Sequence, residues 1–308
     1  MNKRKKFLSL AALAVATILS GSFISCSGDN ESLTPPSPII IHGDVLVTSA
    51  GKFRFAYNEN GTLTSITGGG ETYTLQGDKF SMKTSDGCIQ MDVFTGSDGL
   101  IRKTTFKESD EYNKSEGSVE YSYSSDRRLK SLSYSVKGSN KYGGTYEDTA
   151  KGNFTWKDGN LTQVTLDSKE TGRESGESYS DSWTLTYTYT YGNVPNVSKQ
   201  FPYYVGEDIT GFEETGFCIA GLFGYGPDYL PTSFTESGVE NGSPHSHTYT
   251  LTFTQNSNGT FNSEMLNNAG RITYSYSNAP TRADGIDEQA IEHIVHGIRF
   301  SLFKHRRK

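Results

Sequence analysis

Two histidines two residues apart, His245 and His247, begin the short inventory of side chains that could do chemistry. On a β-strand both imidazoles would project from one face, which is half of a metal site. No third ligand stands at a suitable spacing, so no metal is expected. His293 and His296 lie three apart near the C-terminus, where a helix would turn both to solvent. Asp208, Glu213 and Glu214 come nearest to a carboxylate pair, the acid and base of glycoside hydrolysis. Acidic loops are commonplace, however, in a chain with 35 Asp and Glu. Trp156 and Trp183 are candidate ligand-facing aromatics, either platforms for a sugar ring or parts of a core. The sequence holds no Gly-x-Ser-x-Gly elbow, His-Glu-x-x-His helix, phosphate loop or Cys-x-x-Cys pair. No cofactor is therefore expected, and the balance leans away from an enzyme.

Cysteine offers a different chemistry. Four cations in Asn2–Lys6 precede an apolar stretch from Phe7 to Ile24, the layout of a secretory signal. The stretch ends at Phe23-Ile24-Ser25-Cys26, which resembles a lipobox, with Phe23 where leucine is usual. The expectation is a signal peptide over 1–25 and a diacylglycerol-modified Cys26. Two or more acyl chains, at about 0.8 kcal/mol per buried methylene, would hold firmly where a single chain would not. Ser27 beside the cysteine resembles outer-membrane sorting, and Asp29 and Glu31 resemble a surface-export signal or else form an ordinary polar tether. Residues 26–44, with Pro35, Pro36 and Pro38, read as that tether. In an oxidising compartment the two remaining cysteines, Cys88 and Cys218, either pair or stay as buried thiols.

Loss of the signal leaves 25 Lys and Arg against 35 Asp and Glu, a net charge of −10. That excludes nucleic acid as a natural partner. Only 33% of residues are hydrophobic, yet there are 19 Tyr, 17 Phe and 33 Gly, a composition suited to half-buried strands and tight turns.

The elements that must position these side chains show period-two alternation. Trp183, Leu185, Tyr187, Tyr189 and Tyr191 alternate with Thr184, Thr186, Thr188 and Thr190, which gives one aromatic and one hydroxyl face. Four stretches share a turn grammar: 55–66, 121–132, 154–164 and 251–265. Each runs aromatic, skip, aromatic, a turn rich in Asn, Asp or Gly, apolar, skip two, apolar. Asn-Gly and Asp-Gly supply the positive φ of tight hairpins. The two-residue skip predicts a bulge in the returning strand. The fold class is thus all-β, an antiparallel meander of hairpins closed into a barrel or curved sheet over 45–279. A short helical insertion near 215–223 would plug one end. Ile291, Ile294, Val295, Ile298 and Leu302 predict an amphipathic helix within 280–308 that docks, frays or lies on a membrane.

The hairpin grammar resembles tyrosine-aspartate repeats. It is closer to a Bacteroidetes lipoprotein family of unknown function with a porin-like β-barrel fold. The resemblance rests on the lipobox, the units at 55–66 and 154–164, the Tyr229-Leu230-Pro231 step within 221–233, and the hairpin 249–276, and covers 45–278. It implies an antiparallel barrel and brings no catalytic residues. It does not imply a pore, because several strands are shorter than the ~9–11 residues of a span and their faces are poor lipid faces. The expected function is an envelope-anchored, non-enzymatic binding or structural module, attached to the outer membrane through its lipid. Its ligand would be glycan, lipid or an envelope protein. The alternatives are a surface polysaccharide hydrolase and an accessory subunit of an outer-membrane complex.

Overall fold

The computed structural model describes residues 46–277, except for 59–62, 69–70, 78, 84–88, 175, 211–213, 241–242 and 268–269. The lipobox with Cys26, the tether, Cys88, Glu213 and the C-terminal segment with His293 and His296 lie outside the described residues. The short strands come first: β1 (Val47–Ala50), β2 (Phe53–Tyr57), β3 (Leu63–Gly68), β4 (Glu71–Gln76), β5 (Lys79–Lys83), β6 (Ile89–Thr95) and β7 (Ile101–Ser109). Long ones follow: β8 (Asn113–Tyr123), β9 (Leu129–Asn140), β10 (Thr145–Lys157), β11 (Asn160–Glu174) and β12 (Glu177–Pro195). Two helices, α1 (Tyr203–Thr210) and α2 (Thr215–Ile219), precede β13 (Tyr229–Glu240), β14 (Ser243–Gln255), β15 (Phe261–Leu266) and β16 (Gly270–Tyr276). Every strand pairs antiparallel with its sequence neighbours, and β1 pairs with β16, closing a 16-stranded barrel.

Alternation sends the aromatic face inward. Along β12, Leu185, Tyr187 and Tyr189 are buried while the intervening threonines face outward. Outward positions along the middle of β7 to β14 carry Ser, Thr, Lys, Arg, Glu, Asp, Asn or Gln, with Val239 and Pro244 at one rim and the exposed Val194 and Tyr229 at the other. Lys103–Glu120 at 3.0 Å and Lys137–Glu147 at 3.4 Å span neighbouring strands on this wall. A lipid-spanning barrel needs the reverse arrangement, an apolar band outside.

The predicted bulges are present in all four units. Ala56 pairs with Ser65 but Tyr57 with Leu63, and Thr155 pairs with Gln163 but Trp156 with Leu161. Ser122 pairs with Ser131 but Tyr123 with Leu129, and Thr254 with Ser263 but Gln255 with Phe261. A fifth, where Phe94 pairs with Lys103 but Thr95 with Ile101, flanks a Gly96-Ser-Asp-Gly99 turn outside the four predicted units. Asp158 and Gly159 adopt φ of 49° and 78° in their two-residue turn. All five turns lie at the same barrel end, and aromatic heads stitch them together. Tyr123 Oη donates to Ile101 O at 2.7 Å, Trp156 Nε1 to Leu129 O at 2.8 Å, and Tyr191 Oη to Leu161 O at 2.7 Å. In each case the acceptor lies just after the preceding turn, beside the bulge.

The insertion between β12 and β13 enters from this stitched end and fills it. The expected helix at 215–223 is shorter, Thr215–Ile219, and α1 precedes it. Pro202 just before α1, with Phe201, Val205 and Ile209 at four-residue spacing, was the legible signal. All three of those apolar residues are buried. Phe217 meets Tyr73 and Phe80 edge-to-face at 5.0 and 5.1 Å, and Phe223 meets Tyr121 at 4.9 Å. The exit of the insertion is clamped to the rim, with Asp228 2.9 Å from Arg128 and 2.8 Å from Lys199.

Candidate functional site

Two groups of polar side chains sit inside the barrel. The first surrounds the plug. Glu264 of β15 accepts from the backbone N–H of Tyr203 at 2.7 Å and Tyr204 at 3.2 Å, and from Tyr274 Oη at 2.6 Å. A carboxylate at a helix N-terminus suits both the orphan donors and the dipole. Asp208 accepts from Tyr189 Oη at 3.0 Å, and Glu214 from Tyr121 Oη. Burial pushes Glu207 up to about 8, the charge of Lys52 working against it and that of Glu264 with it. Burial likewise pushes Glu264 up to about 7, against the hydrogen bonds from Tyr274, Tyr204 and Tyr203. Asp208 is raised well above the carboxylate range by burial, with Glu207 adding to it. The carboxylates proposed for glycoside hydrolysis are thus separated. Asp208 is held by β12 and Glu214 by β8, each locked to a wall tyrosine, and Glu213 lies outside the described residues. They secure the plug.

The second group lines the opposite end. There the long hairpins rise above the plug: β12 has 19 residues and β4 six, roughly 60 Å of strand against roughly 20 Å. Asp181 and His247 point inward by register yet are exposed, so this end is an open mouth. A recess of about 310 Å³ lies in its rim, lined by β8 to β12 and the loops between them. Its aromatic members are Tyr112, Tyr142, Tyr146 and Tyr179. Asn113, Asn140, Glu170, Arg173 and Glu174 supply planar polar groups.

The rim loops are braced locally. Asp110 Oδ1 accepts from the N–H groups of Tyr112 and Asn113, both at 2.6 Å. Those bonds, together with the Lys141 charge, hold the Asp110 carboxyl below its usual range despite a small opposing push from burial. Asn140 Oδ1 accepts from the N–H groups of Tyr142 at 2.9 Å and Gly144 at 3.0 Å. Lys141 Nζ lies 3.4 Å from the ring centroid of Tyr112. Tyr179 Oη donates to Glu170 Oε1 at 2.8 Å, and burial followed by that bond raises the phenol.

The sequence candidates divide between these regions. Trp156 is not ligand-facing: its indole is tied to Leu129 O, packs on Phe201 at 6.2 Å and lies under Arg128 at 4.9 Å. Trp183 stands half-buried on the inner wall above the core, opposite Ser168. His245 and His247 do share the inner face of β14, with Glu236 3.8 Å from His245 Nε2 and Tyr249 beside His247. Among the described residues no group of three ligands could hold a metal. Cys218 is a fully buried free thiol in α2, and Cys88, with which it would pair in a disulfide, lies outside the described residues. The recess tyrosines were missed as a group because cross-strand register, not sequence spacing, brings them together.

No family model and no curated protein matches the chain. Several solved structures resemble it, among them two porin-like proteins. One is a porin-like protein from Bacteroides vulgatus ATCC 8482, with 12% identity, a TM-score of 0.49, and coverage of 76% of this chain and 99% of that one. The other is a porin-like protein from Bacteroides uniformis ATCC 8492, with 15% identity, a TM-score of 0.45, and coverage of 73% and 89%. The barrel itself stands on its own strand pairing.

Proposed function

We propose that this chain is an envelope lipoprotein, held on the outer membrane by diacylglyceryl Cys26, whose barrel binds a ligand non-covalently at its open mouth. The observation that carries the binding role is the contrast between the two barrel ends. One is filled by a clamped apolar plug, while the other keeps a braced, aromatic-lined recess. The polar outer wall supports a barrel that stands off the bilayer on a tether. The lipobox, the proline-containing spacer and the acidic balance support the anchor. The same reading assigns 1–25 to a cleaved signal.

The anchor is tested in cells fed an alkyne fatty acid. The chain should take up label, and Cys26→Ala should abolish it and leave a soluble or uncleaved form. Label persisting in Cys26→Ala overturns the lipid anchor. The binding role is tested by glycan arrays and lipid co-purification with the purified chain, and clean negatives in both overturn a small-molecule ligand.

A further inference from the structure

We propose that the mouth recess is a saccharide-binding site, in which Tyr146 and Tyr179, reaching over cross-strand glycines, form platforms for pyranose rings. This rests on the mouth-binding reading above and names its ligand class.

Register builds the platforms. Gly138, Tyr146, Gly172 and Tyr179 are consecutive cross-strand neighbours on β9, β10, β11 and β12, all on the inner face. A β-carbon added to Gly138 would stand 2.2 Å from Tyr146 Cζ, and one added to Gly172 would stand 2.5 Å from Tyr179 Cζ. Any larger residue would lift the rings off the wall. The outer end of each ring therefore lies over a glycine of the neighbouring strand, and both tyrosines line the recess. Tyr142 and Tyr112, 69% and 46% exposed, stand on the loops above. Large aromatics left in water beside a concave surface mark a binding surface.

The lining chemistry selects the ligand. Every non-glycine residue around the recess carries a polar side-chain atom, and none is aliphatic. That disfavours an acyl chain, which needs continuous apolar walls. Arg173 stands with Glu170 and Glu174, so the recess has no strong positive field for a polyanion. Sugars combine apolar C–H faces with ringed hydroxyls. The tyrosine faces match the first, and the carboxamides, carboxylates and guanidinium match the second, accepting and donating in pairs. The loop braces already fix these groups, so little ordering is left for binding. The volume sits at the lower end of the ~300–1,000 Å³ of small-ligand sites, room for one or two sugar rings.

The test is calorimetric titration of the purified chain with maltohexaose, cellohexaose, xylohexaose and chitohexaose, beside hexadecanoate. At least one oligosaccharide should bind. Tyr142→Ala and Glu170→Gln should each weaken it about tenfold with an unchanged unfolding midpoint. Failure of all four oligosaccharides to bind at millimolar concentration overturns the inference, as does binding that neither variant weakens. Hexadecanoate binding lost in Tyr142→Ala, without any saccharide binding, overturns the sugar class but leaves the mouth as the binding site. The acyl-labelling outcome for Cys26→Ala bears on the anchor alone and is independent of these titrations.

Discussion

The plugged end and the open mouth are built from the same alternating strands, yet they spend their inward-facing aromatics differently. At the plugged end Tyr123, Trp156 and Tyr191 donate to bulge-side carbonyls, and Tyr73 and Phe80 pack on Phe217. At the mouth Tyr146 and Tyr179 reach over glycines, and Tyr112 and Tyr142 stand in water. What separates the two ends is the insertion, which packs against one set of rings and takes no part in lining the recess formed by the other. An aromatic-rich barrel wall is thus a core or a recognition surface according to what fills the barrel beside it.

Core substitutions should expose that difference most strongly. Phe217→Ala, at a fully buried site, should cost about 3–5 kcal/mol in urea unfolding, whereas Tyr142→Ala should stay within about 0.5 kcal/mol. Equal costs would erase the distinction between the ends. Glu264→Ala, which strips acceptors from two buried backbone N–H groups and a tyrosine hydroxyl, should cost about 2–3 kcal/mol. Far-ultraviolet thermal melts would register it.

The buried acid groups of the plugged end predict a pH dependence of stability. Glu207 and Glu264 bind protons more tightly folded, at about 8 and about 7, than at the ordinary 4.5. The native state therefore holds more protons between those values, and stability falls as pH rises from about 4.5 to about 8. Asp228 has the opposite sign. The hydrogen bonds and charges of Lys199 and Arg128 outweigh burial and depress it, so its contribution disappears as pH drops through its folded value. Melting temperature should thus peak on the acid side of neutrality, and Glu207→Gln should flatten the alkaline decline. An unchanged slope in that variant would remove Glu207 from the account. At the stitched rim Trp156→Phe should cost only about 1 kcal/mol for one hydrogen bond and leave oligosaccharide titrations untouched.

The strands, the inward aromatic face and the bulges were readable because each rests on local chemistry. Alternation at period two needs no tertiary information, and the two-residue skip from Leu129 to Leu132 or Leu161 to Val164 already implies an extra residue in the returning strand. The first helix was legible in principle from Pro202 and the four-residue apolar spacing behind it. The two tryptophans looked alike in sequence, but Trp156 reaches the Leu129 carbonyl 27 residues away, a contact only the barrel's strand order supplies. Asp208 and Glu214 likewise looked like a pair until the plug turned one toward Tyr189 and the other toward Tyr121. The recess depends on the register that sets Gly138 beside Tyr146 and Gly172 beside Tyr179. Sequence by itself determined which face of each strand goes inward, because side chains alternate by covalent geometry. Tertiary structure decided which inward residues meet and which are left for a ligand, because long-range pairing and the plug's position are properties of the closed barrel as a whole.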